Sequence, residues 1–317
     1  MFCLARTLRF RPFSLLVSVL ASLVLNSSAS ARTVTVECQE GTISNVLKNM
    51  DPQSSNTIRV LGTCQEYIGI NDFADLTIVG VPVGGKNATI QSLNGSPILW
   101  IVASHIQIKN LTISGGVFPV MCREFSVCRF SGNTIQNSNG NGVNIDSADA
   151  TFSGDVIQNN ANSGLNLTAA RVRLTQVTVQ GTTAGAWGPG NGIDIDSGST
   201  VTVEQLNVQN NQGDGLSLIG NSHLTNRPWL GPFTVSNNAN GGIWVTEQSS
   251  ADLTGATVTS NAGGGGIVID GNSYAAFWGG GTFTGNQPID VYCGANFAFA
   301  AAPQQATIGI TNCPNTY

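Results

Sequence analysis

From Gly142 onward the chain alternates apolar and polar residues in short runs, as in Thr200-Val201-Thr202-Val203-Glu204, Leu206-Asn207-Val208, Ala251-Asp252-Leu253 and Ala256-Thr257-Val258. A period of two sends alternate side chains to opposite faces and predicts half-buried strands. No segment after Gly142 carries the i, i+3, i+4 spacing of a helix, while Gly, Asn, Ser and Thr crowd the joints between runs, as turns require. One phrase recurs, a glycine followed by apolar-x-apolar, beginning at Gly142, Gly164, Gly192, Gly215, Gly242 and Gly266 with separations of 22, 28, 23, 27 and 24 residues. Asn137, Asn159, Asn210, Asn237 and Asn261 each stand five residues before such a glycine; in the remaining copy, which carries an insertion before Gly192, Gly181 fills the corresponding turn position.

A repeat of this length specifies a solenoid, and about 22 residues accommodate three short strands and three turns per coil. Stacking such coils at about 4.8 Å puts apolar residues over apolar residues in one continuous core. The expected fold is all-β, a right-handed parallel β-helix, with the hand taken from the general preference of parallel crossovers. The in-phase asparagines suit a tight turn, because Asn tolerates the left-handed conformation and stacked Asn side chains form hydrogen-bonded ladders. Leucine-rich repeats share the period, but Leu is sparse and no helical half-repeat occurs; calcium-binding nonapeptide rolls need a tandem nine-residue spacing that is absent.

The two ends of the pattern differ from its middle. Residues 1–31 have the parts of a secretory signal peptide: Arg6, Arg9 and Arg11, an apolar stretch from Phe13 to Leu25, and Ala29-Ser30-Ala31 as a cleavage site. The β-helix is then expected over 32–317, secreted or periplasmic, with no later apolar run of membrane length. Ile43, Val46, Leu47 and Met50 fall on one helical face, predicting a short N-terminal capping helix over Thr42–Met50 with Thr42 or Gly41 as its cap. After Ile289-Asp290-Val291 the pattern decays through Phe297, Phe299 and Ala300–Ala302, read as the cap at the other end.

Loss of the signal leaves ten basic against eighteen acidic residues, a net charge of about −8, which argues against a nucleic-acid partner. It also leaves six cysteines, an even number in an exported chain, so disulfides are expected. Proximity along the chain favours Cys38 with Cys64, Cys122 with Cys128, and Cys293 with Cys313. No CxxC pair or neighbouring His points to a metal site.

Candidate chemistry follows from the phase of the glycine phrase. With +1 and +3 turned inward, the +2 residues (Asn144, Asn166, Asp194, Ser217, Trp244, Val268) and the +4 residues (Asp146, Thr168, Asp196, Ile219, Thr246, Asp270) form two outward columns. Asp194 and Asp196 lie about 7 Å apart by strand rise, and Asp146 about 10 Å from Asp196 across two coils. Carboxylates at such separations suit general acid and general base work on a glycosidic bond. Trp244 is a sugar-stacking platform. Two insertions, 182–190 with Trp187 and 221–232 with His223, Arg227 and Trp229, are placed to wall the groove. The plainer account of the same residues is that Asp caps turns, exposed acids solubilise a sheet, and a Trp covers a neighbouring loop.

These features resemble the pectin-lyase-like superfamily of right-handed β-helices from about Val34 to the end. The resemblance implies an extracellular polysaccharide, a pectin- or uronate-like glycan, as substrate or ligand. Gly190-Asn191-Gly192-Ile193-Asp194-Ile195 and Gly213-Asp214-Gly215 stand where polygalacturonases carry their catalytic motif. Asn191 replaces the first catalytic Asp of that motif, Gly215 replaces the second member of its Asp pair, and Asp214 is kept. A lyase would instead need an Arg or Lys base, for which Arg171, Arg173 and Arg227 are available, together with acidic groups or Ca²⁺ to neutralise a uronate carboxylate; otherwise no cofactor or metal is expected. His105 and His223 are the two histidines. The expectation is a polysaccharide lyase or glycoside hydrolase with Asp194, Asp196 and Asp214 catalytic and Asp146, Trp244, Arg227 and His223 binding substrate, set against a non-catalytic surface or adhesin-like β-helix.

Overall fold

The computed structural model describes residues 31–277, 279–296, 298–301 and 306–314. The signal-peptide reading of 1–31 therefore lies, apart from Ala31, outside the described residues, as do Phe297 and Ala302 of the expected C-terminal cap. The short alternating runs fold into three parallel sheets of 12, 10 and 11 strands, each strand pairing with its counterpart one coil away. The ten-stranded sheet holds the glycine-led strands, among them Val143–Asp146, Ser163–Thr168, Asn191–Asp196, Asp214–Leu218 and Gly241–Val245. It also takes in Leu99–Val102, Val120–Arg123 and Val291–Cys293, which continue the apolar-x-apolar phrase without its glycine.

Inward residues stack on their like. Ile78, Ile108, Phe130, Phe152, Leu174 and Val203 follow one another at a single register position and are all buried. The Phe130 and Phe152 rings stack at 4.6 Å between centroids, close to the strand spacing itself. Space explains the repeated glycine. A Cβ on Gly192 would lie 2.5 Å from Val208 Cγ1 and 2.6 Å from the Gly215 carbonyl oxygen, and the equivalent carbonyl blocks Gly142, Gly164, Gly215 and Gly242. The glycine lets one coil settle onto the next.

The asparagine column divides in two. Asn137, Asn159, Asn210 and Asn237 have φ of 54–59°, as does Ser260, and Gly181 joins them at 66°. The ladder is carried by the following residue: the backbone N–H of Asn211 donates to Asn238 Oδ1, that of Asn238 to Asn261 Oδ1, and that of Asn261 to Asn286 Oδ1, at 3.0–3.1 Å. Asn261 thus belongs to the ladder and not to the left-handed turn, correcting the single column expected from the sequence. A second ladder of buried serines closes the turn after the glycine-led sheet, with Ser126, Ser199, Ser249 and Ser273 each accepting a backbone N–H of the preceding coil. Outside the 11-stranded sheet, Gln136, Gln158, Gln180 and Gln209 pass one amide bond from coil to coil.

At the N-terminal end the helix is Ile43–Leu47, shorter than expected, with Thr42 as its cap accepting the Asn45 N–H. Glu66 adds a carboxylate to the free N–H groups of Ile43 and Ser44 at 2.8 and 2.9 Å, the charge that end of a helix favours. At the other end Ala298–Ala301 and Thr307–Ile308 extend two of the sheets by a further strand each, so coil structure continues into the region read as a cap. Cys38–Cys64, Cys122–Cys128 and Cys293–Cys313 are disulfides.

Candidate functional site

The outward +2 column of the glycine-led sheet is longer than the glycine phrase suggested. Strand register aligns Trp100, Met121, Asn144, Asn166, Asp194, Ser217, Trp244, Val268 and Tyr292. Gly69 precedes Trp100 at the N-terminal end of the column, so aromatic residues stand near both ends and polar ones at the centre. The sequence pattern missed Trp100, Met121 and Tyr292 because their strands lack the leading glycine. The apolar-x-apolar spacing alone would have found them.

At the centre, Asp194 is gripped from both sides. Its Oδ1 accepts from Asn191 Nδ2 at 2.7 Å and its Oδ2 accepts from the Ser163 hydroxyl. Asn191 also accepts the Asp214 backbone N–H at 2.8 Å, which joins the two acids through one amide. Asp214 Oδ1 accepts from Asn240 Nδ2 at 2.9 Å, while its Oδ2 has no hydrogen-bond donor among the described residues. Burial raises the Asp214 carboxyl to about 6, against the lowering effect of Asn240 and reinforced by the charge of Asp194. Burial also raises Asp194, opposed by the Ser163 and Asn191 hydrogen bonds and aided by the charge of Asp196.

Asp214 opens into a pocket of about 210 Å³ lined with Asn240, Gly241, Gly242, Trp244 and Val268. Trp244 is 43% exposed and Tyr292, two coils on, 41%. A carboxyl that is protonated in mildly acidic solution therefore sits beside an aromatic surface in an open row. Such a place can stack a sugar ring and hand a proton to an oxygen on it.

The structure brings together only part of the expected site. Asp194, Asp214 and Trp244 share one stretch of groove. Asp196 lies at the far end of its strand, where it caps its own turn by accepting the Ser197 N–H. Asp146 is paired with Arg123 at 3.2 Å, and Arg123 lies over the Trp100 ring at 5.3 Å. His223 and Arg227 are on another face: His223–Asn226 is a strand of the 12-stranded sheet, with His223 bonded to Ser250 and Thr225 and Arg227 directed at Glu204. The insertion 221–232 accordingly borders the 12- and 11-stranded sheets, and does not wall the groove. The insertion 182–190 does lie along the groove edge, with its Ala184 and Trp187 N–H groups bound to Gln212 and Asn162 and the Trp187 ring 5.6 Å from Phe118. An insertion's phase within the coil decides its face, and the two insertions differ in phase. Asn240 and Ser163 were missed, since nothing in the glycine phrase marks the two positions that precede it. No group of three or more His, Cys, Asp or Glu among the described residues is arranged to hold a metal ion.

The family model for the right-handed β-helix region matches residues 68–228, half of the chain. Among solved structures the chain is similar to the A-module of a mannuronan C-5 epimerase from Azotobacter vinelandii, with a TM-score of 0.53 and 10% identity over 86% of this chain and 95% of that one. A periplasmic alginate epimerase gives a TM-score of 0.42 and 14% identity over 83% of this chain and 72% of that one. At 10% identity the first similarity is one of fold. No curated protein matches the chain.

Proposed function

The chain belongs to the right-handed β-helix family, and on that premise we propose that it is an exported protein that acts on a polysaccharide along the glycine-led sheet, hydrolysing glycosidic bonds of a pectin- or uronate-like glycan. The observation that carries this reading is the free Oδ2 of Asp214, on a carboxyl raised to about 6, facing the same pocket as Trp244. Asp214 donates its proton to the glycosidic oxygen as the bond to the anomeric carbon breaks. Water adds to that carbon and loses a proton to the Asp194 carboxylate, and exchange with solvent resets both groups. No Arg or Lys lines the pocket, which favours hydrolysis over elimination, a reaction that needs a base and a neutralised uronate. The disulfides fit maturation in an oxidising compartment, and the epimerase module of similar fold takes its name from a polysaccharide, mannuronan.

A second reading, a glycan-binding surface protein without catalysis, is favoured by the double occupation of Asp194, whose two oxygens already have donors. The purified protein should be incubated with pectic, uronate and neutral polysaccharides, following reducing ends and the ultraviolet absorbance of unsaturated product. Hydrolysis gives reducing ends without unsaturation, and Asp214→Asn lowers the rate about 100-fold or more. Retained binding with no product on any substrate selects the second reading.

A further inference from the structure

The 12-stranded sheet carries a site of opposite charge. Arg129, Thr151, Arg173 and Thr202 succeed one another at one register position, with Arg171 in the adjoining outward column and Arg227 at the next turn. These residues line a cleft of about 320 Å³ together with Asp149. Four arginines thus gather on a chain of net charge −5. Among the described residues, two carboxylates pair with them. Glu204 is buried and takes both Arg173 and Arg227, while Asp149 lies 3.6 Å from Arg171 in an exposed pair, a geometry of small energetic worth. Arg129 has no ion pair or hydrogen bond among the described residues. Beside the cleft, sharing Val127, Asp149 and Arg171 with it, is a hollow of about 450 Å³ bordered by Phe125, which is 87% exposed.

We propose that this cleft binds an acidic glycan through the carboxylate or sulfate groups of its sugars. Guanidinium groups engage planar or tetrahedral anions with paired hydrogen bonds, and the threonines between them supply hydroxyls for the sugar ring. Arg129 and Arg173 stand two coils apart, about 10 Å, so they meet anions projecting on the same side of an extended chain that runs along the solenoid axis. Phe125 offers the apolar face on which a terminal ring stacks. The site lies on a different sheet from Asp214 and does not depend on the groove being catalytic.

The test is calorimetric titration of the full disulfide-bonded chain with a hexameric oligogalacturonate, a sulfated oligosaccharide of equal length and a neutral oligosaccharide. The acidic ligands bind and weaken linearly with log salt concentration. Comparison of the two acidic ligands shows whether carboxylate or sulfate is preferred. The exposed pair Arg129→Gln and Arg171→Gln, combined, lowers affinity for the preferred one about tenfold or more, while Arg→Lys at both positions retains the salt-dependent share. The salt-sensitive share of binding that the double Gln variant loses belongs to the cleft, since no Arg or Lys lines the groove pocket beside Asp214. Absence of binding by either acidic ligand, or binding indifferent to the double Gln variant, overturns the proposal. Single-stranded DNA of equal charge binding as tightly as the preferred glycan overturns the glycan assignment.

Discussion

The side-chain amide of Asn191 donates to Asp194 Oδ1 at 2.7 Å while its carbonyl oxygen accepts the backbone N–H of Asp214 at 2.8 Å. One neutral residue therefore sets the position of one acid's carboxylate and the other's backbone, at the place where the polygalacturonase motif has a third carboxylate. Asn191→Asp puts a new negative charge against an acid already raised by burial. We expect this variant to lose about 1–3 kcal/mol of stability at pH 7.5 and to regain most of it near pH 4, as read from urea denaturation at the two pH values.

Asp214 also fixes the direction of the activity profile. Because its carboxyl is raised to about 6, the proton available for donation is present below that value and lost above it. The hydrolysis rate at saturating glycan is expected to fall as pH rises through about 6. A rate that rises across the same interval would count against Asp214 as the acid.

Buried Asp155 gives the same titration a stability readout. It accepts the Asn133 and Ser153 backbone N–H groups and the Asn133 amide, yet burial outweighs them and raises its carboxyl to about 6. The folded state then holds the proton over an interval in which the unfolded chain, at 3.8, has released it. Stability from this group is full below about pH 4 and lost as pH rises through about 6, a difference of at most ~3 kcal/mol. In Asp155→Asn the decline between pH 4 and pH 7 should be shallower than in the parent, measured by denaturant midpoints.

Two adjacent asparagines separate the two roles that the sequence merged. Asn238 is buried and serves both neighbouring coils, accepting from Asn211 and donating to Asn261 and to the Val208 carbonyl. Asn238→Ala strands several of these partners and should cost about 3 kcal/mol or more. Asn237, exposed with φ of 56°, holds only a backbone conformation, so Asn237→Gly should change stability by under about 1 kcal/mol. Thermal denaturation of the two variants side by side checks the contrast.

The aromatic end of the row can be probed without touching the acids. Trp244→Ala should weaken glycan binding roughly 3- to 10-fold and lower the melting temperature only by a few degrees, since nearly half of the residue is already exposed. Affinity electrophoresis in glycan-containing gels reports the first effect and calorimetry the second.

Much of the architecture was legible because a solenoid writes its core register into the sequence. Gly192, Gly215 and Gly242 mark where one coil must come within contact of the next, so the repeat, the three strands and the inward faces followed from spacing. The site was legible only where it stays in phase with that mark, as Asp194 and Trp244 do. His223 and Arg227 were misplaced because an insertion carries no phase of its own: only the strand His223–Asn226, paired with Thr200–Val203, shows which sheet it joins. Asn237 and Asn238 are chemically identical neighbours, and backbone conformation alone distinguishes the turn residue from the rung.

A stack of coils fails by fraying, since its interior members have two neighbours and its outermost members one. Cys38–Cys64 ties the opening strand to the next coil, and Cys293–Cys313 fastens the closing segment to the last strand of the glycine-led sheet. Covalent bonds thus stand at the two places where peeling would begin. The long middle, where the groove and the arginine cleft lie, is shielded from stepwise unravelling, and resistance to digestive enzymes in the surroundings becomes a property of the two ends.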